Sequence, residues 1–276
     1  MKASYRPLVA LAFLLVFALA CSTVSDLLGG EEQAPPETTP GVGASALPGE
    51  AEPTAGVQRL DRPPTPTPFQ VTSSDDPRSL LDLPNPDHYD FFDDPTTWFR
   101  YEDPEYAAYS VADGQMNATD YVAGDRPIYW SYTSFPSGNV YAEISASLGE
   151  CFGQDAVGFV IRVQPEQTPS GYALEISCDG AWRFRRLRPS QTPFEMVDWT
   201  PDERIETGPD GTNRLGIWGY RGEFVLFVNG EQVGAALDSG YSYSLGYFAV
   251  YVQSQEAYPL TATFDDFSYW NIPYQP

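Results

Sequence analysis

The chain has 276 residues, of which 38 are Asp or Glu and 15 are Lys or Arg, for a formal net charge of −23. That charge repels nucleic acid and anionic membrane faces, so neither is expected as a partner bound by charge. With 18 Tyr, 6 Trp, 23 Gly and 26 Pro the composition suits strands and turns better than helices, and the single lysine, Lys2, makes every other Lys/Arg cation an arginine.

In residues 1–20, Lys2 and Arg6 precede an unbroken apolar run from Leu8 to Ala20. The run is short for a bilayer span and right for a signal-peptide core, so this stretch reads as an export leader. It ends Phe17-Ala18-Leu19-Ala20-Cys21. The ending is similar to the lipobox of bacterial lipoproteins, with Ala18 where leucine is usual. Two readings follow. Either Cys21 is lipidated and anchors the mature chain, since several acyl chains hold firmly where one binds marginally, or the leader is removed after Ala20 and no anchor remains. On the first reading the protein is exported and membrane-anchored on the cell envelope or surface.

Residues 21–86 change character. Gln33-Ala-Pro-Pro-Glu-Thr-Thr-Pro40 and Pro63-Pro-Thr-Pro-Thr-Pro68 show dense Pro and Thr without apolar periodicity. Too little apolar surface is available to offset the ordering entropy, which predicts a disordered, semi-rigid tether. From Ser22 to Pro86, at about 3.1 Å per residue, it reaches at most about 200 Å. A short apolar piece, Leu80-Leu81-Asp82-Leu83, could dock on the domain, with a loose linker end as the default.

The folded domain is expected over residues 87–276. It opens at Asp87-His-Tyr-Asp-Phe-Phe-Asp-Asp-Pro-Thr-Thr-Trp98 and closes at Ala262-Thr-Phe-Asp-Asp-Phe-Ser-Tyr-Trp270. Between these ends the period is two. Val140, Ala142, Ile144, Ala146 and Leu148 point inward, then Val157, Phe159, Ile161 and Val163, then Tyr172, Leu174, Ile176 and Cys178. Asp179-Gly180 turns the chain into Trp182 and Phe184, and late in the sequence Phe248, Val250 and Val252 alternate again. Such repeated alternation predicts an all-β, two-sheet antiparallel sandwich. Cys151 and Cys178 lie beside strand ends, and in an exported chain they are expected to form a disulfide.

Thr212 to Val233 reads as two consecutive hairpins. Leu215 and Ile217 run to a turn at Tyr220-Arg221-Gly222-Glu223, and Phe224, Leu226 and Val228 run to Asn229-Gly230. Asn-Gly between alternating runs is a strong hairpin signal because both turn residues need positive φ. The stretch "NRL…G…F.LFVNGE" resembles the central hairpins of concanavalin A-like jelly-roll domains, a group that includes laminin G-like, glucanase-like and 3-keto-disaccharide hydrolase-like members. The resemblance implies a jelly roll whose first and last strands pair, a concave sheet that holds sugars, and in glucanases an E-x-D-x-x-E run on one strand. No such run occurs here: Glu143 and Glu175 each stand alone, and the single histidine, His88, lies at the domain entry. A non-catalytic domain is therefore expected, with a hydrolase of unmarked active site and a structural envelope domain without small ligand as alternatives.

Candidate binding residues follow from aromatic and charged outward positions. Tyr247 and Tyr251 share one strand face, and Trp218 and Tyr220 share another; flat rings beside polar groups suit the faces of a polysaccharide or envelope glycan. Packing under a loop is the other reading of these rings. Tyr129, Trp130 and Tyr132 form a third cluster of unassigned facing. Arg162 and Glu175 match a pattern on neighbouring strands of the resembled fold, either as an ion pair or as a charged floor for hydroxyls, with Glu143 as a further acid. Arg183, Arg185, Arg186 and Arg188 could meet an acidic glycan or form a solvated face. The resemblance also implies a structural Ca²⁺ held by Asp266 of the last strand, with Asp93 as its partner near the first.

Overall fold

The computed structural model describes residue 71 and residues 73–124, 127–167 and 169–274. The leader, Cys21 and most of the tether lie outside the described residues. Fifteen strands follow in order: β1 (His88–Asp90), β2 (Tyr101–Asp103), β3 (Ala107–Ala112), β4 (Gln115–Asp120), β5 (Trp130–Ser137), β6 (Val140–Leu148), β7 (Ala156–Val163), β8 (Gly171–Ser177), β9 (Ala181–Leu187), β10 (Phe194–Pro201), β11 (Thr212–Tyr220), β12 (Glu223–Val228), β13 (Glu231–Leu237), β14 (Gly246–Gln253) and β15 (Leu260–Asn271). Among the described residues the only helical element is a 3-10 turn, Pro77–Leu80.

The strands form two antiparallel sheets. One has nine strands in the order β13-β12-β11-β6-β15-β4-β3-β2, with β1 also paired to β15; the other has six in the order β10-β9-β8-β7-β14-β5. The first and last strands pair as expected, with His88 opposite Tyr269. The inward positions meet in one core: Val140, Ile144, Phe159, Leu174, Phe248 and Phe264 are fully buried. The Asn229-Gly230 turn has φ of 52° and 81°, the double positive value that its sequence requires. Strands β2 to β5 and β10 carry weaker alternation than the core strands and were not individually legible.

The segment before Asp87 differs from a loose linker end. Asp76 caps the 3-10 turn and pairs with Arg78 at 2.7 Å. Arg78 is buried; its guanidinium lies 3.7 Å from the centre of the Phe227 ring and donates to the Gly230 carbonyl at 2.9 Å. Leu81 and Leu83 pack against the cluster of Tyr141, Trp218, Phe227, Trp270 and Ile272, and Trp270 Nε1 donates to the Asp82 carbonyl. The reason is the aromatic surface itself: four large rings on the outside of β6, β11, β12 and β15 gain more by being covered than the strap loses in entropy.

Cys151 and Cys178 are bonded, across a separation of 27 residues. The bond ties the β6–β7 connection to the end of β8. Closing a loop of that length contributes about 3–4 kcal/mol by chain-entropy arithmetic. A Cys151→Ser/Cys178→Ser chain should therefore melt several degrees lower in a calorimetric scan, and an unchanged Tm would show that the crosslink adds nothing.

Candidate functional site

The residues singled out from the sequence divide between two opposite outer faces. Glu143, Trp218 and Tyr220 belong to the nine-stranded sheet. Glu143 accepts from the Tyr141 hydroxyl and, at 2.5 Å, from Arg214 Nε. Trp218 is 9% exposed beneath the strap of residues 76–83, and Tyr220 packs beside it. The packing reading holds for this group, because the strap occupies the surface that a ligand would need.

Glu175 and Tyr251 lie on the outer face of the six-stranded sheet, and both are fully buried. Glu175 is gripped by two arginines of the next strand. Arg183 donates through Nε at 2.7 Å and Nη2 at 3.0 Å, and Arg185 through Nε at 2.5 Å and Nη2 at 2.6 Å. Burial alone would raise the Glu175 carboxyl, but the charges of Arg185 and Arg183 outweigh it and hold it below the usual carboxylate range. The Tyr251 ring lies over Gly158, where an added Cβ would stand 2.3 Å from it, so only glycine fits beneath. Tyr251 thus serves as packing and presents no ring to a ligand.

Arg162 is not the partner of Glu175. A bulge between β7 and β14 puts it in the left-handed region, φ 60°, and breaks the alternation that would have kept the two on one face; the register also sets Gly158, four residues before Arg162, opposite Glu175. Its guanidinium instead reaches the carbonyls of Gly138, Arg221 and Tyr243 at 2.9, 2.5 and 3.1 Å, joining three loops. Burial pulls its pKa down. Nor do the other arginines of the run await an acidic glycan: Arg186 pairs with Asp238 at 2.9 Å, and Arg188 donates to the Thr192 carbonyl. His88 packs 4.0 Å from the Phe135 ring, and burial lowers its pKa.

Tyr247 is placed otherwise. It is 37% exposed on β14 and lines an open cavity of about 680 Å³ with Phe99 and Tyr132. Phe99 is 47% exposed and stacks on Tyr132 at 5.1 Å and 17°. The chain before β2 reaches this spot because it adds a short edge to the sheet: Trp98 bridges Thr133, Phe99 N donates to the Tyr132 carbonyl at 2.8 Å, and Ser131 Oγ returns a bond to the Phe99 carbonyl. Thr96, Thr97, Trp98, Arg100, Thr133, Ser134, Pro165 and Glu166 complete the lining, with the Thr133 hydroxyl turned to the Phe135 backbone. Rings with hydroxyls and one charge of each sign form a surface that accepts both the apolar and the polar side of a ligand. Phe99, Arg100 and Glu166 were missed because no local pattern marks them; the bridge of Trp98 to Thr133 brings in the first two, and the β7–β8 connection brings in Glu166. Of the third aromatic cluster, Tyr132 lines the cavity, Trp130 is buried on the same outer face, and Tyr129 stacks on Tyr106.

Of the two acids named for Ca²⁺, Asp266 already has a protein partner. Asp266 is buried at a bulge of β15 and accepts from the Tyr89 hydroxyl, while Asp93 is an exposed loop residue. Among the described residues no three His, Cys, Asp or Glu side chains come together as metal ligands, and a hard divalent ion needs six or more oxygens.

No family model matches the chain, and no curated protein matches it by sequence. Solved structures match it by shape. The carbohydrate-binding module CBM66 from Bacillus subtilis superposes with a TM-score of 0.50 at 13% identity, covering 64% of this chain and 98% of its own. A Bacillus subtilis protein of unknown function with a galectin-like fold gives 0.50 at 13% identity, over 67% of this chain and 96% of its own. A Bacillus licheniformis β-glucanase gives 0.49 at 11% identity, over 67% and 98%. The sandwich is a concanavalin A-like jelly roll.

The depressed carboxyls give the fold an acid limit. Glu175 and Asp238 are both held below the usual range, so the stability they add is full above about pH 4 and is lost as pH falls through their folded values. Glu175→Gln leaves buried Arg185 and partly buried Arg183 with only the more distant Glu195 as a charge partner and should cost about 3–5 kcal/mol near neutral pH. Thermal melts from pH 7 to pH 3 should show the wild-type Tm dropping more steeply than that of the variant; parallel slopes would remove Glu175 from the account.

Proposed function

We propose that this chain is an exported, lipid-anchored envelope protein whose jelly roll binds a glycan, without cleaving it, in the cavity beside Tyr247. The observation that supports binding is exposed Phe99 stacked on half-buried Tyr132, with exposed Tyr247 and several hydroxyl-bearing residues lining the same cavity. The C–H face of a sugar stacks on such rings while polar neighbours take its hydroxyls. The shape match to a carbohydrate-binding module supports the same class of ligand. Glycosidases work with two carboxyls flanking the bond they cut. Among the described residues Glu166 is the one acid lining the cavity, and Glu175 is sealed between arginines on the same face. Anchoring rests on the Cys21 sequence context, with the Pro/Thr-rich tether giving the domain reach beyond the membrane.

On a glycan array the full chain should retain one class of glycan, and Tyr247→Ala or Phe99→Ala should weaken that retention at least tenfold, about 1.4 kcal/mol. Retention of no glycan would leave the structural envelope role in its place. In cells fed labelled palmitate the wild-type chain should take up label and a Cys21→Ser variant should not; equal labelling of the two would end the anchor proposal.

A further inference from the structure

We propose that Arg183, Arg185, Glu195 and Trp199 form a second subsite, one for sugar hydroxyls, on the face that holds the Tyr247 cavity, so that the ligand is a neutral polysaccharide chain long enough to touch both. This rests on the reading that the cavity takes a sugar. Both arginines use only Nε and Nη2 on Glu175. Their remaining Nη1 atoms converge on a single oxygen, Glu195 Oε1, at 3.9 Å from Arg183 and 4.0 Å from Arg185. These separations allow attraction but are too long for hydrogen bonds. Two fixed donors and one carboxylate acceptor are thus held together, none satisfied by the others. Arg185 exposes only 7% of its side chain and Glu195 exposes 40%, so the donors sit on the sheet and the acceptor at the water boundary. The Arg183 guanidinium lies over the Trp199 ring, 4.2 Å from its centre, so the ring borders the pair of arginines.

A hydroxyl entering beside the gap accepts from one guanidinium and donates to Glu195, and a vicinal hydroxyl repeats this with the other. Charge selects the class. Two guanidiniums are balanced by Glu175 and Glu195, leaving no net charge for an anion to neutralise, and the chain's charge of −23 opposes acidic polymers at long range. Neutral polyols need the arrangement found: strong donors next to a strong acceptor.

Register fixes the span. Arg185 stands opposite Ala173, Ala173 opposite Val160, Val160 opposite Ala249, and Ala249 opposite Tyr132. The two ends of this row are four strand spacings apart, roughly 19 Å. Between them Ala173, Val160 and Ala249 are buried in one apolar cluster with Trp130, Leu187 and Tyr251. The middle of the face is a closed floor, which a chain crosses and which gives a small sugar nothing to enter.

Calorimetric titration of the full chain with neutral cello-, laminari-, manno- and xylo-oligosaccharides, from disaccharides to octasaccharides, tests this. With the series that binds, affinity should rise at least about tenfold once the oligosaccharide spans both patches, as linked sites do. Glu195→Gln and Trp199→Ala should abolish that rise and leave the affinity of short members unchanged; both lie on the edge strand β10, and an unaltered Tm confirms that the variants fold. Burial holds the Glu195 carboxyl above the usual range against the pull of Arg185 and Arg183, with Glu175 and Asp198 adding to the rise. The long-chain gain should therefore fade on acidification before ordinary carboxylates protonate, and Glu195→Gln should lack this dependence. Binding that depends on Tyr247 at every length but ignores Glu195 and Trp199 overturns this inference alone. Absence of binding to every series removes it together with the cavity reading, and preference for oligogalacturonates would overturn the neutral class.

Discussion

Glu175 is a carboxylate with no access to water, and the outer face of the six-stranded sheet is arranged around keeping it ionised. A buried, unpaired carboxylate would cost many kcal/mol. Two guanidiniums, each bidentate, bring four donors to its two oxygens. That geometry fixes the rotamers of Arg183 and Arg185, sets the plane on which Trp199 rests, and gives the Tyr251 hydroxyl a partner at 3.3 Å. Tyr251 in turn needs glycine at position 158. A charge pattern on two strands thereby bears on side-chain choice on three more.

Both sheets are covered on two sides. The shared interior is one layer of burial, the strap closes part of the nine-stranded sheet from outside, and Trp130, Leu187 and Tyr251 close the middle of the other. Aromatic residues outside the core are therefore mostly structural. On the six-stranded sheet the open surface lies at the margins, where the chain near Trp98 adds an edge on one side and β10 forms the edge on the other.

How much of this the sequence disclosed depends on the range of the interaction. Val140, Ile144, Phe248 and Val252 announce their burial by local alternation, and Asn229-Gly230 announces its turn by backbone sterics, so the sandwich and the central hairpins were readable, while the pairing of the end strands was implied by the resemblance to jelly rolls. Cys151 and Cys178 were readable from compartment and position. Arg162 was misread because one bulge reverses the side-chain phase, and a bulge has no signature in a single sequence. Trp218 and Tyr251 alternate as outward residues and are outward; what packs on them depends on Leu81 and Leu83 in one case and on Gly158 and Arg185 in the other, all distant in the chain. Phe99 was invisible for the same reason: its place is decided by a bridge from Trp98 to Thr133.

The strap has a mechanical consequence. The chain enters the domain over the nine-stranded sheet, and the cavity belongs to the six-stranded one. Tension arriving from the N-terminal side loads Arg78, Leu81 and the Asp82–Trp270 bond before it reaches β1. Strung along the chain ahead of β1, these contacts stand between such a pull and the jelly roll, on the sheet opposite the cavity.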